Sequence, residues 1–358
     1  MFNQVFKNRR ILVTGHNGFK GSWLTQWLSL LKADVSGIAL PPLTSPNHWD
    51  LLKIKLKKEF IVDINNFDEI KNCFEVSNPE IVFHLAAQSL VKEGFIAPLE
   101  TWSTNVLGTA NLLECCRLSK SVKAVVVITT DKCYENKEWV WAYREIDKLG
   151  GKDPYSASKS ACELVVESYK HSFLNTNNKI KYATARAGNV IGGGDWSKNR
   201  LIPDAIRSII RGDSIELRSP YSTRPWQHVL DCISGYLLLA ENLYLKGDEY
   251  TNAWNYGPDD SANKSVEEVI IDFKQHLPTL TWQINSKQET GESGQLHLDS
   301  SLVKSRQGWK PVWDYRKSIL KTAEWYNKWI EYKEINTLDD INNYIKDAKL
   351  AKLIWTKN

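Results

Sequence analysis

Apolar positions in the first half of the chain follow two alternating rhythms. Short β-rich runs at residues 11–14, 35–40, 60–62, 80–85, 122–129 and 180–185 read as strands, the 122–129 run being richest in valine. Between them apolar residues recur at helical spacing: Phe19, Trp23, Leu24, Trp27, Leu28 and Leu31, then segments 66–77, 99–117 and 153–171. Strands alternating with helices imply right-handed βαβ units and a parallel sheet with helices on both faces. The expected fold class is α/β, a Rossmann-type doubly wound parallel sheet with a smaller mixed C-terminal lobe that binds substrate.

The rhythm loosens after about Arg186. Gly192, Gly193 and Gly194, then Pro203, Pro220, Pro225 and Pro258, interrupt it. Ser265 followed by Glu268 has the form of a capping box. Asp314 stands where it would cap a helix carrying Ile319, Ala323, Trp325 and Tyr326. Beyond about Lys333 the chain is polar and weakly patterned, as in a surface helix or a tail. The expected division is a dinucleotide-binding domain over 1–186, a substrate lobe over 187–332 with some interleaving of the chain, and a C-terminal tail over 333–358.

Composition narrows the function classes. A chain of 358 residues suits two packed lobes, and 42% apolar with 25% charged residues argues against disorder. The net charge is +4 with no basic run, so a nucleic-acid partner has no electrostatic footprint. No stretch has signal-peptide character or approaches the ~20 apolar residues of a membrane span. Cys73, Cys115, Cys116, Cys133, Cys162 and Cys232 are scattered, and none forms a Cys-x-x-Cys pair. A zinc site is therefore not expected; free thiols in a reducing cytoplasm are. Fifteen tryptophans against one methionine read as packing residues.

Candidate chemistry begins at Gly15, Gly18 and Gly21, a G-x-x-G-x-x-G loop between the first strand and the first helix. Glycines there allow a tight turn, close approach of backbone N–H groups to a pyrophosphate, and close helix–strand packing. The usual reader of the adenosine ribose is an acid ending strand two, yet residues 38–42 hold neither carboxylate nor Arg, which leaves NAD and NADP both open locally. Asp63, ending strand three, fits an adenine contact and a turn-capping residue equally well.

Tyr155 and Lys159 stand four apart on the helix that follows Pro154, hence on one face. Lys159 would lower the Tyr155 pKa and hold a nicotinamide ribose, making Tyr155 a base. With 14 tyrosines, chance alone supplies about one such Tyr–Lys spacing, and this is the one that occurs. Its weight comes from the preceding strand, which ends in Thr129, Thr130, Asp131 and Lys132. Ligands of open α/β sheets bind outside the carboxyl ends of the strands.

Several runs in order carry a family resemblance: 15–24 (GHNGFKGSWL), 84–88 (HLAAQ), 129–136 (TTDKCYEN), 153–159 (DPYSASK), 186–195 (RAGNVIGGGD) and 224–229 (RPWQHV). From about Arg10 to about Lys328 the chain resembles the extended short-chain dehydrogenase/reductases that act on nucleotide sugars, and among them the 4,6-dehydratases. The resemblance implies a bound NAD. It would be held by Gly15, Gly18, Phe19, Gly21, Asp63, Ile64, Leu85, Ala86, Ala87, Gln88, Asn105 and Thr129, with Tyr155 and Lys159. It implies catalysis by Thr130, Asp131, Lys132, Tyr155 and Lys159: oxidation of C4, loss of water across C5–C6, and return of hydride to C6. Asn189, Arg200, Arg218 and Arg224 would meet the nucleotide sugar, while His228 and Asp231 would fix local structure. Most of the group has Glu after the catalytic Asp; Lys132 departs from that and marks one branch, leaving the C5 base open. Segments 99–117 and 153–171 resemble the pair that forms a four-helix interface, implying a homodimer or homotetramer. A 4-epimerase would need the same loop and Tyr–Lys pair but no acid like Asp131, and a non-catalytic dinucleotide-binding regulator would not need the full set.

Overall fold

The computed structural model describes residues 1–173, 180–284 and 294–357. The first half supplies strands β1 (Arg10–Thr14), β2 (Asp34–Ala39), β3 (Lys58–Ile61), β4 (Ile81–His84), β5 (Ala124–Ile128) and β6 (Lys181–Ala187). The second supplies β7 (Asn189–Ile191), β8 (Ile215–Leu217), β9 (Thr223–His228), β10 (Ala253–Tyr256), β11 (Asn263–Ser265) and β12 (Trp282–Ile284). The central sheet has the order β10-β6-β5-β4-β1-β2-β3, with every neighbour parallel. Strands β11, β9 and β7 make a second sheet, and β12 pairs with β8. Strand order reverses between β1 and β4, and this opens a crevice at their carboxyl ends. There Thr14 pairs with Ile38 on one side and His84 on the other.

The helices are α1 (Phe19–Leu30), α2 (His48–Leu52), α3 (Phe67–Ser77), α4 (Val91–Ile96), α5 (Pro98–Trp102), α6 (Gly108–Leu118), α7 (Pro154–Ser172), α8 (Leu201–Arg211), α9 (Val229–Leu245), α10 (Val266–Lys274), α11 (Ser301–Gln307), α12 (Tyr315–Tyr332) and α13 (Thr337–Leu350). Strand alternation sorts the core by face. Ile11 and Val13 pack with Trp23 and Trp27 of α1 and with α9, whereas Leu12, Val125 and Val127 pack with Ile70 and Phe74 of α3 and Leu112 and Leu113 of α6. Caps are local: Asn66 caps α3, Asp153 caps α7, Asp314 caps α12, and Ser265 with Glu268 closes a full capping box on α10.

Three features differ from a plain periodic reading. The helix expected over 99–117 is broken by a π-helical turn, Ser103–Leu107, between α5 and α6. The wider turn buries Asn105, whose side-chain nitrogen reaches the Ser158 hydroxyl at 2.8 Å; a 3.6-residue period cannot reveal it. Second, β10, far along the chain, joins the central sheet beside β6. Third, 333–358 contains a packed helix: Tyr344 and Trp355 are buried, Trp355 stacks on Phe2 at 5.0 Å, and both edge onto Trp27. Tyr344 also donates to Asp231 at 2.6 Å, tying α13 to α9.

Candidate active site

The glycine loop crosses the sheet end at backbone contact. Gly15 has φ +69°, and a Cβ there would lie 2.7 Å from the Ala86 nitrogen; one on Gly21 would lie 2.0 Å from the Gly15 carbonyl oxygen. Gly18 precedes α1 and carries no capping side chain, so the first-turn N–H groups of Phe19, Lys20 and Gly21 are left for a ligand. Half-buried Leu85, Ala86 and Ala87 form the opposite wall, and the Ala86 N–H donates to Thr14 Oγ1 at 3.2 Å. A pyrophosphate fits this narrow, donor-rich cradle. At the adenosine end, Asp63 is exposed and accepts from the Asn65 N–H at 2.9 Å, while Ile64 is buried beneath Gly108.

Two expected cofactor residues spend their side chains within the protein. Asn105 Oδ1 accepts from the Gln88 N–H at 2.8 Å and its Nδ2 donates to the Gln88 carbonyl at 3.0 Å; Gln88 itself donates to Thr101 at 2.8 Å. Thr129 turns its hydroxyl inward to the Glu163 carboxylate. These side chains brace the crevice from behind.

Pro154 opens α7 and places Tyr155 and Lys159 on the face toward β5. Both are nearly enclosed, Tyr155 at 8% exposure and Lys159 at 6%. Burial pushes the Tyr155 hydroxyl up to about 12, with a hydrogen bond to Thr130 and the charge of Arg200 pulling it back. The expected agent was Lys159. Its ammonium leans instead toward the Ile128 carbonyl at the end of β5, 3.5 Å away, and burial lowers its own pKa. Spacing sets a shared face, but the long side chain chooses the strand-end acceptor.

Asp131 begins a 3-10 turn after Thr130, which donates to its Oδ1 at 3.0 Å. Burial raises the Asp131 carboxyl above the usual range, opposed by Lys132, Thr130, Arg224 and Lys20. Oδ2 is buried with no hydrogen-bond partner within the protein. A carboxyl pushed toward its protonated form, with one oxygen held by Thr130 and the other without a partner beside Gly188, is suited to donate a proton. Lys132 is half-buried beside it.

Arg200 belongs to this centre. It pairs with Asp195 at 3.0 Å, donates to Ser89 at 3.2 Å and exerts its charge on Tyr155. Asn189 is half-buried on β7 next to Gly188, which abuts Asp131. Buried Arg224 on β9 donates to the Thr223 carbonyl at 2.8 Å and is felt at Asp131; Arg218 is half-buried beyond β8. His228 accepts from the Leu230 N–H at 3.2 Å and caps α9, and Asp231 accepts from the Val312 N–H at 2.7 Å, so both fix local structure.

Glycine spacing alone misses Lys20. From the first turn of α1 it donates to the Tyr236 hydroxyl at 3.3 Å. Burial lowers its pKa, and Cys232, Arg200, Asp131 and Lys159 act on it, so three cations share one basin with Asp131. A lysine between the last two glycines of a phosphate loop was the available signal.

Among the described residues no helix is long and apolar enough to cross a membrane, and no group of three or more His, Cys, Asp and Glu is arranged to hold a metal. A Rossmann sheet with a phosphate cradle beside a buried Tyr–Lys–Asp centre defines a dinucleotide-dependent enzyme. The chain belongs to the NAD dependent epimerase/dehydratase family, whose model matches residues 11–253, and NAD is its cofactor. It is 43% identical over 337 residues to the CDP-glucose 4,6-dehydratase of Salmonella typhimurium, covering 92% of this chain and 94% of that one. Its fold is shared with the UDP-glucose 4-epimerase of Thermotoga maritima, solved with UDP-glucose (TM-score 0.77, 23% identity, 90% of this chain and 99% of that one). It is shared equally with the dTDP-glucose 4,6-dehydratase of Streptomyces venezuelae, solved with NAD and TYD (TM-score 0.77, 21% identity, 89% and 97%).

Proposed function

We propose that this chain dehydrates CDP-D-glucose to CDP-4-keto-6-deoxy-D-glucose. The observation that carries the reading is Asp131: a buried carboxyl, raised in pKa, with a free oxygen beside Thr130 and Tyr155. A 4-epimerase needs no such acid. The 43% identity to a CDP-glucose 4,6-dehydratase supports the cytidine nucleotide.

NAD, which the glycine loop of Gly15, Gly18 and Gly21 would hold, would supply a hydride acceptor for C4 oxidation and a hydride donor for C6. Tyr155 takes the proton of the C4 hydroxyl, with Thr130 hydrogen-bonding the same oxygen. Tyr155 has a pKa of about 12 in the protein alone, with Thr130 and Arg200 already pulling it down, so the step needs the phenolate favoured once substrate is seated. The 4-ketone acidifies C5, and Lys132 removes its proton. Asp131 protonates the leaving C6 hydroxyl as C–O breaks, and the proton held by Lys132 returns to C5 as hydride reaches C6. Asn189 and Arg224 hold the diphosphate and nucleotide with Arg218 at the outer end.

Exposed Phe95, Ile96, Leu99 and Leu107, with Leu164 of α7, support a homodimer or homotetramer through a four-helix interface. The six free, buried cysteines suit a cytoplasmic enzyme. The test is incubation of the pure protein with NAD and CDP-, GDP-, UDP- or dTDP-glucose. A 4-keto product, detected by its alkaline absorbance, is expected from CDP-glucose; turnover only of another nucleotide, or a C4 epimer as product, overturns the reading.

A further inference from the structure

One buried ion pair lies behind the reacting residues and takes no part in the steps above. Glu163 follows Lys159 by one helical turn and Tyr155 by two, so the three share a face of α7. Its side chain and that of Arg186 on β6 are each 4% exposed, and the pair closes at 2.9 Å. Arg186 Nε also donates to Glu163 Oε1 at 3.0 Å, making the contact bidentate. The remaining lone pairs take the hydroxyls of Thr129, ending β5, and Thr184 on β6, the latter at 2.6 Å. Arg186 continues to the Tyr134 hydroxyl at 2.8 Å and the Glu145 carbonyl at 3.2 Å. One turn earlier on α7, Ser160 donates to the Cys133 carbonyl at 2.7 Å.

We propose that Glu163 is a positioning residue: held by Arg186, its carboxylate locks the end of β5 that carries Thr130 and Asp131 to the helix that carries Tyr155 and Lys159. A buried ion pair is weak as a stabiliser, because desolvation offsets the attraction, and well-packed apolar replacements are often neutral or better. This pair therefore calls for another role. It joins the two elements whose spacing sets whether tyrosine, lysine and acid converge on one sugar, and a 1 Å misplacement costs on the order of 100-fold in rate. Its negative charge also favours the protonated form of Lys159 against burial.

The inference rests on the dehydratase reading, so wild-type turnover of CDP-glucose is the control. The test compares Glu163→Leu/Arg186→Met, which removes both charges, with Thr129→Val, which deletes one hydroxyl contact. The double variant is expected to keep its Tm within a few degrees, lose at least about 30-fold in kcat, and change KM by less than about 3-fold. Thr129→Val is expected to keep Tm and lose about 5-fold in kcat, and it decides alone if the double variant does not fold. Independently of turnover, NAD binding followed by tryptophan fluorescence should weaken at lower pH in the double variant, because Lys159 loses its proton sooner. Recovery of wild-type kcat together with Tm, or an unchanged alkaline limb of NAD binding, would reduce the pair to scaffolding and overturn the proposal. If wild type turned over no hexose nucleotide, the dehydratase reading would fall, and the NAD-binding limb would still decide the role of Glu163.

Discussion

Gly188 lies against Asp131 so closely that a Cβ on the glycine would sit 3.0 Å from the Asp131 Oδ2 atom and 2.8 Å from Pro225 Cγ. The contact defines the back wall of the acid. Gly188→Ala must move either the carboxyl or β9. A kcat loss of about 10-fold or more is expected, with a fall in Tm of only a few degrees, since overpacking by one methyl costs roughly 1–3 kcal/mol. Steady-state kinetics beside a thermal melt checks it; unchanged kcat would mean that Asp131 tolerates displacement.

Asp131→Asn keeps the shape and removes the proton. Oxidation at C4 should survive better than loss of water. Rapid mixing should then show reduced-cofactor absorbance that outlasts product formation, with turnover down by roughly 100-fold. Equal loss in both phases would assign the acid elsewhere.

The borrowed hydride can be followed directly. CDP-glucose carrying deuterium at C4 should give product labelled at C6, read by mass spectrometry or NMR. Label released to solvent, or kept at C4, excludes an internal transfer.

Burial raises Asp340 on α13 to about 7, with Lys321 4.0 Å away opposing the shift and Glu324 and Asp339 adding to it. The folded form thus holds a proton that the unfolded form gives up. The associated stability is complete below about pH 4 and is lost as pH rises through 7. Asp340→Asn should therefore raise Tm more at pH 8 than at pH 5; a larger gain at pH 5 would contradict the sign.

Trp355, 1% exposed, holds the C-terminal segment against Phe2 and Trp27. Trp355→Ala should cost about 3–5 kcal/mol in urea unfolding. A cost near zero would show that α13 is independent of the sheet.

Much of this was legible in one dimension. Runs of valine and isoleucine announce β1, β4 and β5 because strands buried on both faces need no polar alternation. Asp153, Asp314 and Ser265 announce helix starts because capping is a contact between near neighbours. The loop at Gly15, Gly18 and Gly21 is equally local. The sequence therefore determined the parallel α/β class and the glycine loop, and it put Thr130, Asp131 and Lys132 past the end of β5 and Tyr155 and Lys159 on one face of α7. Tertiary structure decided what depends on distant partners. It returned β10 to the central sheet, set Arg200 beside Tyr155, brought Lys20 to Tyr236 and paired Glu163 with Arg186. It turned Lys159 toward Ile128 and buried Trp355 under the N-terminus. Side-chain direction and desolvation arise only when separate segments close on one another, and no spacing within a single segment encodes them.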